Sequence, residues 1–159
     1  APNAEVSDSF SQWIAEGFSG LKSGMQDFLF GMVTALRTGD AERMLKILPS
    51  FFANIPYSIT IDNEKYYQSL FVAVFTLFGA MVSAEVQTND GRIDAVVETP
   101  KYVFVFEFKL RGTAESAIEQ IRGKKYYEKF LGRSKKIALV GVEFDAKTRN
   151  LGKHIIEEL

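Results

Sequence analysis

The chain has no cysteine and a single histidine, His154, among its 159 residues. The first absence excludes a disulfide scaffold, a thiolate zinc site and a cysteine nucleophile, and it fits a reducing, cytoplasmic setting. The second leaves no multi-histidine metal centre and no serine-histidine triad. Long hydrophobic runs are also missing. The greasiest stretch, Leu70 to Val82, falls short of the roughly 20 residues that span a bilayer, so it reads as a buried helix and no membrane is expected. The start, Ala1-Pro2-Asn3, has neither an initiator methionine nor a basic, apolar leader, so the expectation is a piece excised from something longer. Any chemistry must therefore run on carboxylates, lysines and amides.

What remains is a chain 47% hydrophobic and 25% charged, enough for a globular domain with a real core and against a disordered one. The net charge of −1 hides a division: residues 1–100 carry −6, residues 101–136 carry +6 and the remainder −1. A local basic field is what phosphate binding needs, so nucleic acid stays open as a partner. The plainer reading is a solvated helix face rich in lysine.

Residues 1–56 read as a small helical subdomain without a chemical motif. Phe10, Trp13, Ile14 and Phe18 recur at helical spacing; Phe28 to Leu36 and Met44 to Leu48 follow, Pro49 is expected to kink or end the third helix, and Asn54-Ile55-Pro56 closes the segment. From residue 57 the pattern changes. Asp62 suits an N-cap for a helix to about Phe78. Strands are expected over Met81 to Thr88, Arg92 to Glu98 and Tyr102 to Leu110, with Asn89-Asp90-Gly91 and Thr99-Pro100 as turns. Gly112-Thr113 opens a helix to about Leu131, Ser134 to Phe144 is a fourth strand, and Thr148 to Glu158 reads as a last short helix. The fold class is α/β, an αβββαβ core with a mixed four-stranded sheet flanked by helices, the fourth strand returning through a crossover helix.

In Tyr102 to Leu110 alternate residues share a face, so Val103, Val105, Glu107 and Lys109 lie together while Tyr102, Phe104, Phe106, Phe108 and Leu110 form a purely apolar face. Glu107 and Lys109 then stand about 6–7 Å apart along the strand. If the hairpin sets Asp94 opposite Val105 or Glu107, all three charges project on one side; a one-residue slip sends Asp94 away. Two carboxylates and a lysine on a rigid sheet suit a hydrolytic site using Mg²⁺ or Mn²⁺, with the lysine balancing charge on an attacked phosphate. The structural alternative is an exposed Glu-x-Lys pair beside an unrelated Asp.

Gly91-Arg92-Ile93-Asp94, a hairpin, then Phe104-Val105-Phe106-Glu107-Phe108-Lys109 resembles the PD-(D/E)xK nuclease superfamily, the restriction-endonuclease-like fold. The nearest likeness is to the C-terminal nuclease domain of bacterial proteins that carry an AAA-ATPase-like domain in front. Asn63 to Leu70, Ala117 to Ile121 and Lys136 to Val142 fall where that family has its first core helix, second core helix and fourth strand, and Pro2 to Val6 resembles the stretch after the ATPase-like part. The resemblance implies metal ligation by Asp94, Glu107 and the Phe108 carbonyl, with a further contribution from Glu64. It implies catalysis by Asp94, Glu107 and Lys109, with Gln120 as the glutamine of the second core helix. Ile93 stands where the superfamily's nominal proline precedes the Asp.

A helical wheel independently puts Gln120, Lys124 and Tyr127 along one edge of the apolar stripe Ala114, Ala117, Ile118 and Ile121, where they reach toward a phosphate or simply form a polar margin. Glu64, as an acid in a first turn, also has a structural explanation. Arg92 would share the Asp94 face and pair with Glu107 or contact phosphate. Arg92, Lys124 and Tyr127 are thus candidate nucleic-acid contacts, DNA before RNA. The leading expectation is a metal-dependent nuclease domain that works with an ATPase-like part. Its rivals are a silent nucleic-acid-binding or regulatory module, and an assembly domain using the helical front, with a homodimer left open.

Overall fold

The computed structural model describes residues 22–53, 64–79, 82–145 and 147–159. The expected helix at Phe10 to Phe18, the likeness at Pro2 to Val6, the closing Asn54-Ile55-Pro56 and the cap at Asp62 lie outside the described residues. Helices α1 (Lys22–Arg37), α2 (Ala41–Ala53) and α3 (Glu64–Gly79) precede strands β1 (Ser83–Asn89), β2 (Arg92–Glu98) and β3 (Tyr102–Lys109). Helix α4 (Ala114–Lys124), a 3-10 turn (Tyr126–Phe130), β4 (Lys136–Asp145) and β5 (Asn150–Glu158) complete the order.

Five strands form one mixed sheet in the order β1-β2-β3-β4-β5. The first three make an antiparallel meander, β4 runs parallel to β3 after the α4 crossover, and β5 is antiparallel to β4. Asp90-Gly91 closes the first hairpin with Gly91 at φ 73°, where a glycine carries no steric cost. Thr99 closes the second: its N–H donates to the Tyr102 carbonyl, and its hydroxyl accepts from the Tyr102 N–H. The first turn sets the register of β1 on β2, and the second that of β2 on β3.

Strand alternation divides the core. Ile93, Ala95 and Val97, with Phe104, Phe106 and Phe108 and with Val140 and Val142, face α1, α2 and α3 in one continuous cluster. The three β3 rings stack in a ladder at 5.7–6.0 Å, and Phe71 of α3 lies 4.5 Å from Phe108. On the other face Val103, Val105, Ile137 and Leu139 pack under Ile118 and Ile121 of α4. Both faces of β3 and β4 are covered, as expected of strands beside a parallel pairing.

Helix α4 opens on a capping box: the Thr113 hydroxyl accepts from the Ser116 N–H, and the Ser116 hydroxyl accepts from the Thr113 N–H. Glu143 of β4 accepts the Ala114 N–H at 3.0 Å and ties the helix start to the sheet. The helix then settles at Gly141, where an added Cβ would lie 2.7 Å from the Ala114 carbonyl oxygen and 2.9 Å from Ile118 Cγ1. No larger residue fits without moving the helix.

Three expectations need correction. The segment expected as a final helix is β5. Its Leu151 and Ile155 have helical spacing, but β4 is buried on both faces and its outer edge needs backbone partners, which β5 supplies. The sheet therefore has five strands rather than four. The α4 helix stops at Lys124 instead of about Leu131, because Lys125 turns into the left-handed region (φ 56°) and a 3-10 turn follows. Pro49 does not end α2, which continues to Ala53. Burial of Phe51 and Phe52 beyond it, each favourable by about 1.5–3 kcal/mol, offsets the roughly 3 kcal/mol cost of a helical proline. The Asn150 amide also donates to the Pro49 carbonyl.

Replacement of Gly141 by alanine should lower stability by about 2 kcal/mol, or roughly 4–8 °C in Tm, measured by thermal unfolding. An unchanged Tm would contradict the close helix-sheet contact.

Candidate active site

Strand pairing places Asp94 directly opposite Glu107 and Arg92 opposite Lys109. By alternation all four side chains leave the sheet on the α4 side, the opposite side from the phenylalanine ladder. Of the two registers that would gather the charges, this is the Asp94–Glu107 one. Glu107 is 1% exposed and Lys109 9%, so two charged groups end an otherwise apolar strand beneath a helix.

Two residues of α4, one turn apart, reach onto them. Gln120 Oε1 accepts a hydrogen bond from the Lys109 ammonium. The Lys124 ammonium donates to Glu107 Oε1 at 3.1 Å and to Asp94 Oδ2 at 3.4 Å. Lys109 Nζ stands 3.7 Å from Glu107 Oε2. Asp94 Oδ2 also takes a 3.2 Å hydrogen bond from the Asn89 amide and lies 3.4 Å from Arg92 Nε. Arg92 thus pairs with the acid on its own strand rather than with Glu107.

Gly112 packs against the stem of Lys109. At φ 131° it carries no side chain, and a Cβ there would press on Lys109 Cδ at 3.3 Å. The loop between β3 and α4 can therefore lie on the lysine stem.

Burial is the main cause that raises the Glu107 carboxyl from its ordinary 4.5 to about 7; its hydrogen bond with Asp94 and repulsion from that carboxylate add to it, and Lys124 opposes. Two oxygens of the pair, Asp94 Oδ1 and Glu107 Oε2, are buried without a hydrogen-bond partner. Such bare hard oxygens on facing strands fit a hard divalent cation. Among the described residues no group of three or more His, Cys, Asp or Glu gathers to hold a metal, so the protein offers a carboxylate pair. Mg²⁺ commonly takes one or two carboxylates and fills its remaining positions with water and substrate oxygens.

The other sequence candidates are placed as follows. Phe108 lies between Glu107 and Lys109 with its ring on the opposite face against Phe71. Tyr127 lies past the end of α4 in the 3-10 turn, half-buried against the Val103–Ile121 cluster. Glu64 is the first residue of α3; its side chain lies outside what is described. Sequence reasoning misses Asn89, Glu143 and Gly141. Asn89 had a turn signal only, and the contacts of Glu143 and Gly141 depend on where the helix comes down.

With metal removed by chelation, folded Glu107 keeps its proton up to about pH 7 while the unfolded carboxyl loses it near 4.5. Stability should therefore fall as pH rises through that window, by on the order of 1–3 kcal/mol. Denaturant melts from pH 4.5 to 8 should show a flatter profile for Glu107→Gln; parallel profiles would contradict the buried, proton-holding carboxyl.

The site can be set beside known proteins. The chain is 30% identical to the "Uncharacterized protein in vnfD 5'region" of Azotobacter chroococcum mcd 1 over 165 aligned residues, which cover 99% of this chain and 32% of that protein. It thus spans about a third of the relative's length. No solved structure matches, and among the described residues no helix is long and apolar enough to cross a membrane. The model of the PD-(D/E)XK nuclease superfamily matches residues 62–154, from before α3 into the first half of β5, and takes in the whole Asp94–Glu107–Lys109 cluster. The chain belongs to the PD-(D/E)XK nuclease superfamily.

Proposed function

We propose that this chain is a nuclease domain that hydrolyses nucleic-acid phosphodiester bonds with Mg²⁺ or Mn²⁺ held by Asp94 and Glu107. The observation that carries the reading is the carboxylate pair set face to face by the β2–β3 register, each acid with one buried oxygen lacking a hydrogen bond, and a lysine on the same face. A bound divalent ion supplies a lowered pKa for the attacking water and positive charge for the phosphate. The Phe108 carbonyl and Glu64 are proposed as secondary ligands.

The protein's own groups have separable tasks. In hydrolysis a water oxygen bonds to phosphorus as the bond to the leaving sugar oxygen breaks, and negative charge gathers on the phosphoryl oxygens. Lys109 offsets that charge. Gln120 holds the Lys109 ammonium from the far side, which fixes its position before substrate arrives and spares reorganisation during the reaction. Burial of Glu107 excludes water from the acid. Arg92, Lys124 and Tyr127 line the same side and are proposed contacts to the nucleic acid, DNA in preference to RNA. An ATPase-like part in the whole protein would deliver substrate, as the likeness noted for the sequence implies.

A second reading, a nucleic-acid-binding or regulatory module without turnover, draws on one observation. Among the described residues only two acids meet at the site, with no third His, Cys, Asp or Glu beside them.

Cleavage of single- and double-stranded DNA and RNA by the purified protein, with Mg²⁺ and with Mn²⁺, separates the two. The proposal expects cutting, and a loss of at least about 100-fold for Asp94→Ala, Glu107→Ala or Lys109→Ala with unchanged circular dichroism. Salt-dependent binding with no cutting under any condition would favour the second reading.

A further inference from the structure

Lys124 stands out among the three cations around the carboxylate pair because it alone among them touches both acids, Glu107 Oε1 at 3.1 Å and Asp94 Oδ2 at 3.4 Å. Neither of the other two does so. Lys109 gives its hydrogen bond to Gln120 and stands 3.7 Å from Glu107 alone. Arg92 touches Asp94 alone. We infer that Lys124 is a displaceable counter-ion: its ammonium holds the Asp94–Glu107 pair while no divalent ion is bound, leaves as the ion enters, and then faces the substrate phosphate. The inference rests on the proposed metal site and adds a device that governs how that site is loaded.

Three features of the cluster support it. A single ammonium serves one oxygen of each acid and leaves Asp94 Oδ1 and Glu107 Oε2 bare, so Lys124 neutralises the pair without satisfying it. An ion of charge +2 with several coordination positions does more with the same four oxygens. Next, Lys124 has a way out. It is the last residue of α4, directly before the left-handed turn at Lys125, and its side chain is 21% exposed, against 11% for Lys109. The long, flexible stem of a lysine at a helix end can swing with little change in the backbone.

The third feature is charge. Two carboxylates already face three cations. Addition of a divalent ion makes the cluster strongly positive, which repels the nearest mobile ammonium and calls for an anion. A phosphodiester is such an anion, and an outward-turned Lys124 at the rim of the site is placed to meet it. Ion entry and phosphate binding are thereby coupled through one side chain.

The test is the affinity of the protein for Mn²⁺ alone, by calorimetry at pH 8.5, for the wild type, Lys124→Met and Lys124→Arg. Removal of a competing cation should tighten Mn²⁺ binding about tenfold in Lys124→Met, and Lys124→Arg should restore wild-type affinity. A purely structural lysine gives the opposite sign, since its loss leaves the acids less ordered and binding weaker. Wild-type binding with a folded Lys124→Met no tighter overturns this inference and leaves the metal site standing; no Mn²⁺ binding to the wild type overturns both. Should Lys124→Met fail to fold, acetylation of Lys124 in the wild-type protein, followed by mass spectrometry, decides the matter. Saturating Mn²⁺ should speed labelling at Lys124 about tenfold relative to Lys129. An unchanged or slower rate with Mn²⁺ bound overturns the inference.

Discussion

The close descent of α4 onto β4 at Gly141 is the constraint on which the rest of the site depends. Gly141 is the parallel-strand neighbour of Glu107, so a place where the helix comes close to the sheet is also beside the buried acid. The capping box at Thr113 and Ser116, and the Glu143 carboxylate on the Ala114 N–H, fix where the helix starts. Its apolar residues Ala114, Ala117, Ile118 and Ile121 fix which way it faces. With start, height and rotation set, Gln120 and Lys124 can only project toward Lys109, Glu107 and Asp94. One absent side chain thus governs the distances of a cluster assembled from three separate elements.

That arrangement stores electrostatic tension. A carboxylate 1% exposed, opposite a second one, is costly unless neutralised, and the response is mixed: a proton affinity raised to about 7, three cations nearby, and two oxygens still unsatisfied. A sheet designed for stability alone would continue the apolar pattern of Val103 and Val105 into position 107. The departure from that pattern occurs at the buried end of β3 beneath α4, and the compensation lies in the uninterrupted phenylalanine ladder on the reverse face. The apolar ladder and the charged cluster occupy opposite sides of a single strand.

How much of this was legible in the sequence follows from the range of each interaction. The faces of β3 are a matter of alternation, and the Asp90-Gly91 turn is local chemistry, so both could be read directly. The Asp94–Glu107 register needed the length of the second turn, and composition left two options open. The apolar stripe of α4 predicted which edge bears Gln120 and Lys124, but not that Lys124 meets both acids, since that depends on the helix-sheet distance at Gly141. β5 was not legible as a strand, because the need that makes it one belongs to the unpaired edge of β4 and Leu151 and Ile155 keep a helical spacing. That Pro49 does not end α2 has a similar reason: a local penalty is outweighed by Phe51 and Phe52, whose burial depends on the distant sheet.

The central claim is that the facing pair of carboxylates is a cation site from which chemistry on phosphate proceeds. Its most direct test is a crystal of the protein soaked in Mn²⁺ and measured at a wavelength where manganese scatters anomalously. The account predicts one strong anomalous peak bounded by the Asp94 and Glu107 carboxylates, with Asp94 Oδ1 and Glu107 Oε2 no longer without partners. No peak there at saturating Mn²⁺, or manganese bound only elsewhere with the Lys124 contacts intact, would contradict it.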